Sequence, residues 1–155
     1  MSATIDERLQ ELGLVLPRPA APAGAYVPAV VVGELCFIAG QLPFESGEIR
    51  YRGHLGEGVG IEDGYAAARL CGLNLLAQLR EACGGDLGRV KGVVRLCGFV
   101  ACTPSFADHP KVINGASDLM LAVFGEAGRH ARVAVGAASL PLAAAVEIEG
   151  LFRIA

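Results

Sequence analysis

The alternation of apolar and polar positions divides the chain into helices and strands. An apolar repeat at intervals of three and four predicts one long helix over residues 61–83 and a second over residues 107–126. Thr4 and Glu7 fit a capping box that begins a short N-terminal helix, and Gly13 fits its end. Runs of β-favouring residues predict strands within segments 26–41, 90–101, 131–137 and 145–154.

The order of these elements predicts one α+β domain over residues 1–155, with residues 1–16 as an N-terminal helical extension. Strand groups separated by long amphipathic helices indicate a mixed sheet with two long helices packed on one face. We expect Gly72 to let the first long helix approach that sheet closely. The chain closes with a pair of strands, broken by Pro141 because proline has no N–H to donate to a sheet.

The composition indicates that part of the surface is covered by other subunits. The chain is 53% hydrophobic and 19% charged, which is apolar for a protein of 155 residues. The segment 26–41 is almost continuously apolar, as in strands covered on both faces. Because helices are expected on only one face of the sheet, oligomerisation is the economical cover for the other face.

Several partner classes are disfavoured by the sequence. No run of 18 apolar residues occurs, so no membrane-spanning helix is predicted, and the first residues lack the basic and apolar regions of a signal peptide. The net charge is −3, without a Lys/Arg cluster, which argues against a nucleic-acid partner. We therefore expect neither membrane nor nucleic acid as a partner.

The five cysteines predict a reduced, cytoplasmic protein. Their number is odd, no CxxC motif occurs, and the cysteines fall in helix or strand patterns typical of small buried hydrophobes. Their spacing relative to the three histidines does not fit a zinc site, so no metal is predicted.

Two charged residues near the end of the chain are candidates for chemistry. Arg132 lies near the start of one strand, and its planar guanidinium suits bidentate recognition of a small carboxylate. Glu147 lies in the alternating last strand, where a carboxylate can position water or move a proton. The alternative reading is that Arg132 and Glu147 pair with each other or with solvent.

Short segments throughout the chain match one known family in order and spacing. They are Ala25-Tyr26 after a proline-rich entry, the strand 37–43, the turn 46–48, the long helix, the strand before Phe106, Asn114 in the second helix, Arg132, Leu140-Pro141 and residues 146–149. On these pieces the chain resembles the Rid family of reactive intermediate (imine) deaminases, also called the YjgF or L-PSP endoribonuclease family. The N-terminal helix is similar to a longer subgroup.

The resemblance implies a chorismate-mutase-like fold and a homotrimer with clefts between subunits. Family members hydrolyse enamines and imines such as 2-aminoacrylate to 2-keto acids and ammonia, with neither a metal nor an organic cofactor. The resemblance assigns the carboxylate clamp to Arg132 and the water-holding carboxylate to Glu147. It also places Tyr26 at the cleft entrance and Gly40 in the pocket wall.

Four further positions are candidates for the predicted site. The resemblance assigns a backbone carbonyl to Ala134 and a pocket-lining or structural role to Asn114. His130 lies two positions before Arg132, so it could line the cleft and titrate near neutral pH. Ser117 lies one helical turn after Asn114 and could reach the cleft or bond locally.

The chain departs from the family pattern, and these departures leave the substrate open. Ala39 stands where a serine often precedes the pocket glycine, Ala134 stands for a cysteine, and Gly136 stands for an acidic residue. We therefore keep an alternative function, in which a non-catalytic trimer binds or senses a small carboxylate through Arg132.

Overall fold

A computed structural model of the protein describes residues 3–155 and confirms the α+β architecture. The helices are α1 (Ile5–Glu11), α2 (Ile61–Ala82) and α3 (His109–Phe124). The strands are β1 (Ala29–Val32), β2 (Leu35–Gln41), β3 (Phe44–Glu45), β4 (Glu48–Ile49), β5 (His54–Leu55), β6 (Gly58–Val59), β7 (Val90–Ala101), β8 (Ala131–Ala137) and β9 (Val146–Ile154). The long elements agree with the predicted ones to within a few residues.

The five long strands form one mixed sheet in the order β1-β2-β9-β7-β8. β8 runs parallel to β7, and the other neighbouring strands are antiparallel. The chain closes with the two expected strands, but they are not neighbours in the sheet, because β7 lies between β8 and β9. The cause is α3, which carries the chain from the end of β7 back to the start of β8, as a parallel connection requires.

Both long helices pack on the same face of the sheet. The core between them and the sheet consists of aliphatic side chains, of which Leu75, Leu96, Met120, Ile148 and Phe152 are almost fully buried. Gly72 does not face the sheet as expected. A methyl group there would lie 2.9 Å from a methyl carbon of Leu119 in α3, so this glycine brings the two helices together.

The opposite face of the sheet carries exposed apolar side chains. Val30 is 49% exposed, Val32 is 60% exposed and Phe37 is 46% exposed. The chain itself therefore covers only one face of this segment, and the cover expected on the second face stays a prediction. Side chains of this kind are costly to leave in water, and clusters of them are typical of surfaces that bind a partner.

The N-terminal helix begins at the predicted capping box, and the segment that follows it is bonded to α2. Thr4 and Glu7 form the predicted capping box, in which Thr4 N donates to Glu7 Oε2 at 2.8 Å and Glu7 N donates to Thr4 Oγ1 at 3.2 Å. The following proline-rich segment lies along α2, where Gln78 Nε2 donates to the carbonyl of Ala20 at 2.8 Å. This segment, residues 15–23, is called the connector below.

The cysteines are free, as predicted, and mostly buried. Burial raises the thiol pKa of Cys36, to about 11, and also raises the thiol pKa of Cys71, Cys83 and Cys97. Within residues 3–155, none of the helices combines the length and the apolar character needed to cross a membrane.

Candidate functional site

Neutral groups of α3 hold Arg132 on the helix-covered face of the sheet. Arg132 Nη1 donates hydrogen bonds to Asn114 Oδ1 at 2.8 Å and to Ser117 Oγ at 3.1 Å, and Nη2 lies 3.5 Å from the carbonyl oxygen of Pro110. Between residues 3 and 155, no carboxylate forms an ion pair with Arg132, and its Nε donates no hydrogen bond. The guanidinium is thus oriented while its charge remains uncompensated.

Ser117 joins the arginine to the neighbouring histidine. His130 Nε2 lies 2.9 Å from Ser117 Oγ, and His130 Nδ1 lies 2.6 Å from the carbonyl oxygen of Gly128. In the neutral tautomer with the proton on Nδ1, His130 donates to that carbonyl and accepts from Ser117, whose oxygen accepts from Arg132. His130 therefore supports the clamp through Ser117, rather than lying exposed at a strand end.

Glu147 and Gly40 meet on the other face of the sheet. A methyl group at position 40 would overlap Glu147 Oε1, so only glycine leaves room for this carboxylate. Burial raises the pKa of the Glu147 carboxyl, and the nearby carboxylate of Glu149 raises it further. A glutamate with a raised pKa is a stronger base once it is ionised, which suits it to accept a proton.

The strand register separates Arg132 from Glu147 within one chain. Arg132 is paired with Leu96 of β7, whereas Glu147 is paired with Phe99 of the same strand. Positions 96 and 99 are an odd number of residues apart, so their partners point to opposite faces of the sheet. Two strand spacings and three residues along β7 also place their backbones roughly 14 Å apart. Arg132 and Glu147 consequently do not pair within the chain.

The remaining predicted residues divide between the same two faces. Ala134 packs against the core on the face of Arg132 and Asn114. Tyr26 is 51% exposed, its hydroxyl accepts a hydrogen bond from Ala23 N at 3.3 Å, and it lines a cavity together with Gly40. We call the group of Arg132, Ala134, Asn114, Ser117 and His130 the clamp half-site. Gly40, Tyr26 and Glu147 form the carboxylate half-site.

Ser117 is the contact that the sequence left open. Its helical spacing from Asn114 placed the two side chains on one face of α3, but the alternative of a local bond was equally consistent with that spacing. The packing of β8 beside α3 turns both side chains toward Arg132. The Pro110 carbonyl had no sequence signal, because a backbone group carries no side-chain identity.

Replacing Gly40 with alanine tests the importance of the close approach to Glu147. The added methyl would overlap Glu147 Oε1 and displace this flexible side chain without touching the core. We expect the thermal unfolding midpoint to stay within a few degrees of the wild-type value while any Glu147-dependent turnover falls about tenfold or more. Gly60→Ala is a control for glycine replacement, because Gly60 has a negative φ and a methyl group there would meet open space. Unchanged turnover in Gly40→Ala would show that the position of Glu147 is unimportant.

Comparison with known proteins identifies the family. Residues 6–152 match the family model described as "YjgF/chorismate mutase-like, putative endoribonuclease". Protein TCP17 of Trypanosoma cruzi is 47% identical over 154 residues, covering 99% of this chain and 96% of its own length. The chain belongs to the YjgF/chorismate-mutase-like family, also called the Rid family.

Solved structures confirm that the whole fold is shared. Protein Atu1372 of Agrobacterium tumefaciens is 48% identical, with a TM-score of 0.91 over 97% of this chain and 92% of that one. A structure from Shewanella oneidensis is 41% identical, with a TM-score of 0.94 over 98% of this chain and 100% of that one. Both cover the N-terminal extension as well as the sheet and the long helices.

Proposed function

We propose that the protein hydrolyses small enamine and imine compounds that carry a carboxylate, giving 2-keto acids and ammonia. The observation that carries this proposal is the state of Arg132. Its guanidinium is held by an amide oxygen, a hydroxyl and a backbone carbonyl, with no carboxylate partner in the described part of the chain. A fixed, uncompensated arginine is suited to a small anionic ligand, and the bidentate geometry favours a carboxylate.

The reaction site would lie between two copies of the chain. The clamp half-site and the carboxylate half-site face opposite ways, so one chain alone cannot present both to one small molecule. The exposed apolar face of the sheet, with Val30, Val32 and Phe37, supports assembly through that surface. We propose a homotrimer, in which each cleft takes its clamp from one chain and its carboxylate from the next.

The proposed mechanism needs no group beyond the side chains and backbone of the cleft. Arg132 binds the substrate carboxylate, and backbone groups near Gly40 and Ala134 of the two chains hold the imine nitrogen. Glu147 takes a proton from water as the water oxygen bonds to the imine carbon. Glu147 returns this proton to the nitrogen, which gives the neutral carbinolamine. It then takes the proton of the hydroxyl group and passes it to the nitrogen as the C–N bond breaks, so that ammonia leaves and the keto acid remains.

The proposed reaction needs only a modest rate acceleration, which agrees with a site that has few catalytic groups. Imines hydrolyse in water unaided, so positioning and proton transfer worth about 10²–10⁴-fold would suffice. The departures at Ala39 and Ala134 remove side-chain groups from the pocket but leave both backbones in place. The proposed clamp and carboxylate are both present, so we expect these departures to change which imine is bound rather than whether imines are hydrolysed.

The experiment that tests this function compares wild type with Glu147→Gln. 2-Aminoacrylate and 2-iminobutanoate are generated enzymatically, and their decay is followed with and without each protein. We expect wild type to accelerate decay and Glu147→Gln to lose about 10²–10⁴-fold in kcat/KM. Binding of pyruvate, followed by NMR titration, should persist in the variant because Arg132 is intact.

Glu149→Gln is the matched control for the loss of a carboxylate. Because Glu149 raises the pKa of Glu147, its removal should lower that pKa and move the acidic limb of the activity profile to lower pH. Pyruvate binding without acceleration of either imine by wild type would instead support the non-catalytic ligand-binding trimer. If wild type neither bound pyruvate nor accelerated the decay of either imine, both candidate functions would be wrong.

A further inference from the structure

Three almost fully buried amide side chains line one large cavity beside the carboxylate half-site. Gln41 is 7% exposed, and Asn74 and Gln78 are each 3% exposed. All three line a cavity of about 980 Å³ enclosed by α2, the connector and the loop after β2, and we call this cavity the connector groove. A pocket of this size is at the upper end of what drug-sized ligands occupy.

Each amide uses its nitrogen and leaves its oxygen without a partner. Gln41 Nε2 donates to the Ala39 carbonyl at 3.0 Å, and Gln78 Nε2 donates to the Ala20 carbonyl at 2.8 Å. Asn74 Nδ2 lies within 3.0–3.1 Å of three backbone carbonyl oxygens. These contacts fix which end of each amide is nitrogen. None of the three amide oxygens accepts a hydrogen bond from residues 3–155.

The free oxygens are open to the groove rather than sealed inside the protein. Among residues 3–155, Arg80 Nε is the side-chain polar atom that is both fully enclosed and unpartnered. The oxygens of Gln41, Asn74 and Gln78 therefore keep access to space, and the space that these residues line is the connector groove. Three unpartnered acceptors that line one mostly apolar pocket are suited to a ligand with N–H donors.

The groove wall is mostly apolar elsewhere, with Arg18, Glu45 and Ser46 as its other polar members, and the apolar part defines the rest of the ligand. Leu70 and Leu73 of α2 face it from one side, and Leu42 and Phe44 line it at the loop after β2. An extended hydrocarbon stem would bury apolar surface there. A terminal carboxylate beside Gln41, Asn74 and Gln78 would meet their oxygens as a second set of acceptors, so an acidic end does not fit this part of the groove, whereas Arg18 lines it on the connector.

The groove adjoins the proposed reaction site through Gly40. This residue lines the groove and also contacts Glu147, and Tyr26 lines the same groove at its surface. A three-carbon imine leaves most of the cavity empty. The groove is thus positioned to receive a substituent that extends from the reacting carbon.

We propose that the connector groove is the side-chain pocket of the imine site, and that it selects 2-imino acids whose apolar side chain ends in N–H donors, such as a ureido group. This inference rests on the proposed function, because it names the substrate class of the same site. The amide oxygens of Gln41, Asn74 and Gln78 accept the terminal N–H groups, and the leucines contact the stem.

The test compares three imines generated in situ by an L-amino acid oxidase, from alanine, norleucine and citrulline. The rate at which the protein hydrolyses each imine is measured from the decrease in the semicarbazone that forms when semicarbazide competes for the same imine. We expect wild-type kcat/KM to be highest for the citrulline-derived imine, by about tenfold over the norleucine-derived one, which lacks the terminal donors. Equal values for all three imines would overturn the inference while leaving the proposed function intact.

Gln78→Lys removes one acceptor while keeping a donor for the Ala20 carbonyl. We expect it to lower kcat/KM for the citrulline-derived imine about tenfold more than for the alanine-derived imine. Gln10→Lys makes the same chemical change on the exposed surface of α1 and should leave the ratio unaltered. An unchanged ratio in Gln78→Lys would contradict the assigned role.

Leu73→Trp provides a second variant should Gln78→Lys fail to fold. The larger ring fills the groove and should lower the same ratio, whereas Leu121→Trp on the exposed side of α3 should not. N-Butylurea, followed by NMR titration, tests the groove without turnover. If wild type binds N-butylurea and Leu73→Trp does not, the connector groove is supported as a binding pocket. If no imine were hydrolysed in that case, the proposed function would be wrong but the pocket would stand. Absence of N-butylurea binding to wild type would overturn the inference.

Discussion

Arg132→Ala is expected to lose about 30- to 5,000-fold in kcat/KM for imines that carry a carboxylate. Removing the charged partner of a desolvated, hydrogen-bonded carboxylate costs about 2–5 kcal/mol, and each 1.36 kcal/mol is tenfold in rate. The loss should extend to ligand binding, because the clamp acts on the bound substrate as well as on the transition state. Pyruvate titration and imine decay measure these two effects separately.

Arg129→Ala is the matched control for the loss of positive charge. Arg129 lies three positions before Arg132, its side chain is 73% exposed, and it forms a 2.9 Å ion pair with Glu126. Exposed pairs of this kind contribute little, so both activity and stability should remain close to wild type. If Arg132→Ala turned over a carboxylate substrate at the wild-type rate, the clamp assignment would be incorrect.

Mixed assemblies of Arg132→Ala and Glu147→Ala chains should recover activity that neither variant has alone. The two residues point to opposite faces of one sheet, so the proposed site takes one from each of two neighbouring chains. In a three-membered ring that contains both variants, one of the three clefts joins an intact clamp to an intact carboxylate. Purified mixed trimers should therefore show about one third of the wild-type activity.

Co-expression with two different affinity tags isolates the mixed assemblies. As the matched control, each variant is co-expressed with itself under the two tags, and these assemblies of a single variant should stay inactive. If the site were formed within one chain, no mixture would contain a complete cleft, and sequential purification would yield inactive protein. Recovery of activity thus measures the arrangement of the site independently of its substrate.

The sequence was sufficient to predict the elements because their signals are local. The three-and-four repeat of α2, the capping box at Thr4 and the alternation of β9 each depend on neighbouring residues. Their observed bounds differ little from the predicted ones. The family resemblance then supplied the fold, since the matching segments cover almost the whole chain.

The arrangement of those elements carried weaker signals. Nothing in β8 or β9 indicates that β7 lies between them, because strand order depends on where α3 carries the chain. The same applies to Gly72. Its small size predicts a close approach of another element, but the sequence does not identify which element that is. The free amide oxygens of Gln41, Asn74 and Gln78 were also beyond prediction, since they depend on which carbonyls the loops bring near.

The path of the chain gives the two half-sites different origins. Every group that holds Arg132 belongs to the continuous segment from Pro110 to Arg132, so closing this half-site requires only a short loop between α3 and β8. Gly40 and Glu147 come from opposite ends of the chain and meet only when β2 pairs with β9. The entropy lost on closing a loop grows with its length, so forming the clamp half-site costs less conformational entropy than forming the carboxylate half-site.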